Sequence, residues 1–193
     1  METVLAIIGW LNPVSWWNSG KNWWRRPILD IYFDPAETYH ERGVVNEGGV
    51  PGYFCHLMVR NRGTNVAKGC RARLIRVDVF DADHAPRVHP DFVSPCVLKW
   101  AHQTDYGGRE IESDLPRRLD LCYSVQSNPT ILTFFTPQAA VGNRTEFSPG
   151  KYRVTVRVDA ENAETVDGVF IVNHTGVWQE TEVATARSGL DER

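Results

Sequence analysis

The chain has 193 residues, enough for one domain with its own core and no need of disulfides or metals to fold. A formal net charge of −3 lacks the basic excess of a general nucleic-acid binder, and no nucleic-acid partner is expected. Charge is unevenly placed, because only Glu2 and Lys21 carry it before residue 25.

The first element is that nearly uncharged N-terminal segment. Val4, Ile7, Ile8 and Leu11 stand at helical spacing, and Asn12-Pro13 stops or kinks the helix. Trp10, Trp16, Trp17, Trp23 and Trp24 punctuate the segment, and Arg25 and Arg26 end it. Tryptophan favours the lipid headgroup level and arginine the cytoplasmic flank. The run is short of the roughly 20 apolar residues that a spanning helix needs. Residues 1–26 therefore read as an interfacial membrane anchor, or as an arm packed on this domain or on a protein partner.

From Ile28 onward the apolar period is two. Leu29, Ile31 and Phe33 mark a first strand closed by Asp34-Pro35, and residues 34–52 read as a loop. Tyr53, Cys55, Leu57 and Val59 form one apolar face, with Phe54, His56, Met58 and Arg60 opposite. Asn61 and Gly63 predict a turn with positive φ, and Ala67 a small position at a core edge. From Cys70 to Phe80 the apolar phase changes from Ala72 and Leu74 to Ile75, Val77 and Val79. That change predicts a bulge or kink near Leu74–Ile75. Residues 81–95 read as a loop, Val97–Trp100 as a short strand and 101–116 as a loop again. Leu119, Leu121, Tyr123 and Val125 alternate in the next strand, and Ile131–Phe135 follows. After Ser148-Pro149-Gly150, Tyr152, Val154, Val156 and Val158 give the cleanest alternation. Val169–Val172 reads as the last strand, Trp178 as an anchor and 184–193 as a disordered polar tail.

These elements predict an all-β, antiparallel β-sandwich of about seven to eight strands over residues 27–183. The absence of strand–helix alternation excludes doubly wound and barrel α/β folds.

The run Val59-Arg-Asn-Arg-Gly-Thr-Asn-Val-Ala67 resembles the V-x-N-x-G-x-x-x-A signature of prokaryotic immunoglobulin-like adhesion and cell-surface modules. Leu98-Lys99-Trp100, Leu119-Asp120-Leu121, Gly150-Lys-Tyr152 and Ala160-Glu-Asn162-Ala163, in that order, extend the resemblance to uncharacterised bacterial and archaeal immunoglobulin-like domains across Pro27–Trp178. The resemblance implies an immunoglobulin-like sandwich with a membrane segment ahead of its first strand, and it brings no catalytic residues. The Lys151–Asp159 strand lacks the cysteine that a vertebrate-type disulfide would need.

Candidate chemistry is sparse. Cys55, Cys70, Cys96 and Cys122 form no CxxC pair, and no secretory signal is evident, so a reducing cytoplasmic setting with free, buried thiols is expected. Asp81, Asp83, His84, His89 and Asp91 crowd one loop, but their spacing fits neither an EF-hand nor HExxH, and no metal or other cofactor is expected. Neither a G-x-S-x-G elbow nor a P-loop occurs. Arg71, Arg73 and Arg76 would join Arg153 and Arg157 in a basic stripe if their strands were neighbours, whereas Trp100 and Trp178 read as core anchors. The expected function is a cytoplasmic, non-enzymatic interaction or scaffold module with a protein partner, held at a membrane surface or on a partner by residues 1–26. Two alternatives stand beside it: a ligand-binding sandwich using a sheet face or loop end, and a metal-dependent enzyme using the Asp81–Asp91 loop.

Overall fold

A computed structural model describes residues 26–35, 41–45, 49–80, 85–93, 95–137 and 145–186. Two antiparallel sheets stack around one core. In the first sheet, β3 (Pro51–Asn61) is flanked on one edge by β1 (Leu29–Tyr32) and β2 (Glu41–Val45). On its other edge lie β8 (Arg117–Val125), β9 (Asn128–Phe134) and β10 (Glu146–Phe147), in that order. In the second sheet, β13 (Glu182–Thr185), β12 (Val166–His174), β11 (Gly150–Asp159) and β4 (Ala67–Val79) run side by side. The free edge of β4 is then covered by three short pieces, β5 (Arg87–Val88), β6 (Cys96–Val97) and β7 (Arg109–Ile111).

Among the described residues thirteen strands stand in place of the seven to eight expected. The long ones coincide with the alternating runs. The additional ones are edge pieces of two to five residues, too short to show a period: β2 lies within 34–52, β5 within 81–95 and β7 within 101–116, all read as loops. β12 begins at Val166, three residues early, and β13 runs two residues past the 183 boundary. The tail expectation for 187–193 lies outside the described residues.

Alternation places the core as anticipated. Tyr53, Cys55, Leu57 and Val59 face Val154, Val156, Val158 and Phe170 across the sheets, all fully buried. Burial on this scale supplies the main stabilisation, roughly 1.5–3 kcal/mol for each large apolar side chain. The predicted bulge occurs: β11 pairs Thr155 with Arg76 and Val156 with Leu74, so Ile75 is the extra residue. With Ile75 taken out of phase, the core set is Ala72, Leu74 and Val77. A second bulge has no signal in the sequence. Cys55 pairs with Cys122 and His56 with Asp120, which leaves Leu121 as an additional residue in β8. Cys122 and Ser124 then face the core, and Tyr123 turns outward, contrary to the alternation read for that strand.

The Asn61 corner differs from expectation in its cause. Neither Asn61 nor Gly63 has a positive φ. Instead Asn61 is fully buried and uses its whole amide. Its Oδ1 accepts from the Ile28 and Gly63 backbone N–H groups at 3.0 and 2.9 Å. Its Nδ2 donates to the Asn65 and Ile111 carbonyls at 2.7 and 3.1 Å. Gly63 is required by close approach, because a Cβ there would stand 2.1 Å from the Arg26 carbonyl oxygen and 2.7 Å from the Ile28 nitrogen. The motif thus ties the start of β1, the end of β3 and the end of β7 together.

Two segments pass from one sheet to the other along the same flank. The first pairs Val97 with Arg73 of β4, then donates Leu98 N–H to Ala72, and then bridges Trp100 to Leu119 of β8. The second pairs Ile111 with Ala67 of β4 and then bridges Ser113 to Asn61 of β3. Trp100 is buried at their junction, as expected of a core anchor, and Trp178 packs partly buried on the core.

Candidate functional site

Two features outside the core stand out among the described residues: the outer face of the first sheet, and a cleft between the two crossing segments.

The outer face owes its composition to the bulge at Leu121. Tyr123, turned out of the core, stacks on Phe54 with ring centroids 5.8 Å apart and meets Phe135 at 4.8 Å. All three rings are half-buried, and they lie on the side of the sheet away from the sandwich interior, since Phe54 and Phe135 alternate with the buried Cys55 and Phe134. Beside them His56 and Asp120 are paired across the strands, Nδ1 to Oδ1 at 2.8 Å, and both are largely buried. The carboxylate accepts the Nδ1 proton, which fixes the orientation of the ring. Further along β3, Arg60 lies over the Tyr32 ring at 5.1 Å and bonds Asp30 at 3.2 Å. Tyr106 approaches from the 101–108 loop. Its hydroxyl is raised above the ordinary phenol value by burial, then by the nearby Asp120 charge.

The cleft, of about 800 Å³, is walled by Trp100–Gln103 from the first crossing segment and by Gly108–Glu110, Glu112 and Pro116–Arg118 from the second. Gly108 lies so close to Gly69 that a Cβ would stand 3.1 Å from its backbone, which holds that wall tight against β4. Arg109, Arg117, Glu110 and Glu112 are exposed around it, and neither Arg109 nor Arg117 has a carboxylate partner among the described residues. Gln103 is nine-tenths buried, and its Oε1 has no hydrogen-bond partner among the described residues. His102, with φ of 61°, and Asp114, with φ of 59°, are the only non-glycine residues in the left-handed region among those described. One lines the cleft and the other lies between two residues that do.

Of the residues singled out from sequence, Trp10, Trp16, Trp17, Trp23, Trp24 and Arg25 lie outside the described residues. Arg26 is exposed at the entrance to β1. Asp81, Asp83 and His84 also lie outside. His89 and Asp91 serve structure: the His89 ring packs edge-on to Phe147 at 4.7 Å, and its Nδ1 accepts from the Asp91 backbone N–H. Among the described residues no three His, Cys, Asp or Glu side chains stand where they would share a metal ion. The arginines of the expected stripe do come together, since β4 and β11 are neighbours, but aspartates interleave them. The fully buried Asp78 accepts from both Arg76 and Arg153, while Arg73 meets Asp159 and Arg157 meets Asp167. The result is a charge ladder instead of a basic stripe.

All four cysteines are free and buried. Burial pushes the Cys70 thiol up to about 11, and the sulfur contact with Cys55 together with burial raises Cys122 well above the ordinary thiol value. Such thiols are protonated and poor nucleophiles at neutral pH. Neither the aromatic face nor the cleft is legible in the sequence, because each depends on a register shift or a sheet crossing. No family model and no curated protein matches this polypeptide.

Proposed function

We propose that this protein is a non-enzymatic interaction module that presents the outer face of its first sheet to a protein partner and is held at a membrane surface by residues 1–26. The observation that carries the reading is the Phe54–Tyr123–Phe135 cluster. Three aromatic rings on the solvent side of a sheet, with Tyr32, Met58 and Arg60 continuing the row, have the composition that interface cores favour. The His56–Asp120 pair gives this face a buried, oriented hydrogen-bonding group with no nucleophile paired to it among the described residues, which suits recognition better than covalent chemistry. For the fold, the immunoglobulin-like reading is supported by β4, β11 and β12, which stand in the relation of the third, sixth and seventh strands of such domains. The first sheet departs from that plan. There the strand beside the second strand would be followed by a crossing, whereas β8 is followed by its hairpin partner β9.

Photocrosslinking in cells tests the reading. A photoreactive residue replacing Thr133, which pairs with Tyr123 on this face, should yield one discrete adduct with a different protein. The adduct should disappear when Phe54→Ala and Tyr123→Ala are added, with the circular dichroism of the sandwich retained. Adducts formed only between copies of this protein, or an adduct indifferent to both substitutions, would overturn it.

A further inference from the structure

We propose that the cleft between the two crossing segments binds a carboxylate with an adjacent nitrogen donor, the chemistry of a free α-amino acid or of a polypeptide C-terminus. The site is separate from the aromatic face and does not depend on it.

The lining selects the ligand. Arg109 and Arg117 offer guanidinium groups with no carboxylate to neutralise them among the described residues, and a guanidinium fork is matched to a carboxylate. Glu110 and Glu112 lie on the same wall. They disfavour a dianion such as phosphate and favour a ligand that also carries positive charge or N–H groups. The buried Gln103 oxygen adds an acceptor for which the described residues supply no donor. An unsatisfied buried group of this kind is uncommon in folded proteins and calls for a specific cause. Backbone in the left-handed region is concentrated at the same place, in His102 and Asp114, and such residues gather at binding sites that the surrounding structure holds in position. That scaffold is rigid here. The first wall is bridged to β4 and β8 and the second to β4 and β3, and Gly108 lies against Gly69.

The full-length protein, labelled with ¹⁵N, should be titrated with each of the twenty α-amino acids, their N-acetyl forms, their amides and inorganic phosphate. At least one free or N-acetylated acid should give saturable shifts confined to residues 100–118. Its amide and phosphate should bind at least tenfold more weakly. Arg109→Ala and Arg117→Ala, both at exposed positions, should each weaken binding at least tenfold, while Arg71→Ala, outside the cleft, leaves it unchanged. Binding of the free acid alone assigns a free amino acid, and binding of the N-acetyl form assigns a polypeptide end. No saturable response, equal binding of amides or phosphate, or indifference to both arginine substitutions would overturn the proposal.

Discussion

Asn61→Ala removes the most heavily used side chain in the corner that joins β1, β3 and β7. The methyl group fits the space, so the effect isolates hydrogen bonding. Two backbone donors, at Ile28 and Gly63, and two carbonyl acceptors, at Asn65 and Ile111, lose their partner together. A satisfied bond is worth about 0.5–1.5 kcal/mol net, and a buried group left without one costs about 1–3 kcal/mol. Water reaching part of the vacated site offsets some of this, so the expected loss is about 3–5 kcal/mol. For a domain of this size 1 kcal/mol moves the midpoint by about 2–4 °C, so calorimetry should record a fall of roughly 6–20 °C. Urea titration at constant m-value should report the same free energy. A loss under about 1 kcal/mol would show that the four bonds do not hold the corner and would refute the reasoning.

Gly63→Ala should destabilise by more than the roughly 1–3 kcal/mol of ordinary overpacking, because its Cβ meets backbone that cannot rotate away; a melting curve within about 1 °C of the parent would count against this. His174 is held below the ordinary imidazole value by burial, with Nδ1 against the Thr181 hydroxyl at 2.9 Å. The unfolded state therefore takes up a proton first as pH falls, and stability should drop from about pH 6.5 downward until the folded-state value is passed. Melting measured between pH 7.5 and 5 should show that drop, and His174→Gln should reduce it; an unchanged pH profile would exclude the residue. For membrane association, the full-length protein should float with anionic liposomes and residues 27–193 should remain at the bottom; equal flotation of both would remove the anchoring role of residues 1–26.

The parts of the fold that can be read from sequence are those where one face is uniformly buried. Val154, Val156 and Val158 lie between β4 and β12, and their alternation survives because no residue is inserted into β11. The bulge at Ile75 is visible because it displaces an apolar residue, and the phase of the pattern changes with it. The bulge at Leu121 is invisible for the opposite reason. Cys122 can occupy a core position as readily as Leu121, so two successive apolar residues conceal the slip, and Tyr123 passes for a core residue. That single residue hides the aromatic face. The cleft is hidden in a different way: Arg109 and Arg117 are brought to one opening by ladders with β4 and β3, long-range pairings that local periodicity does not encode.

β4 is the longest strand among the described residues, and its outer edge would offer thirteen residues of backbone to any neighbouring molecule. Three fragments of the same polypeptide occupy that side opposite residues 67–70, 73–74 and 78–79. Growth of one molecule onto the next through this margin is thereby blocked, which is how sheet proteins keep concentrated solutions free of fibrils. Shortening the stretch between residues 85 and 98 would take away two of the three guards, and the first symptom should be loss of solubility while the interior remains intact.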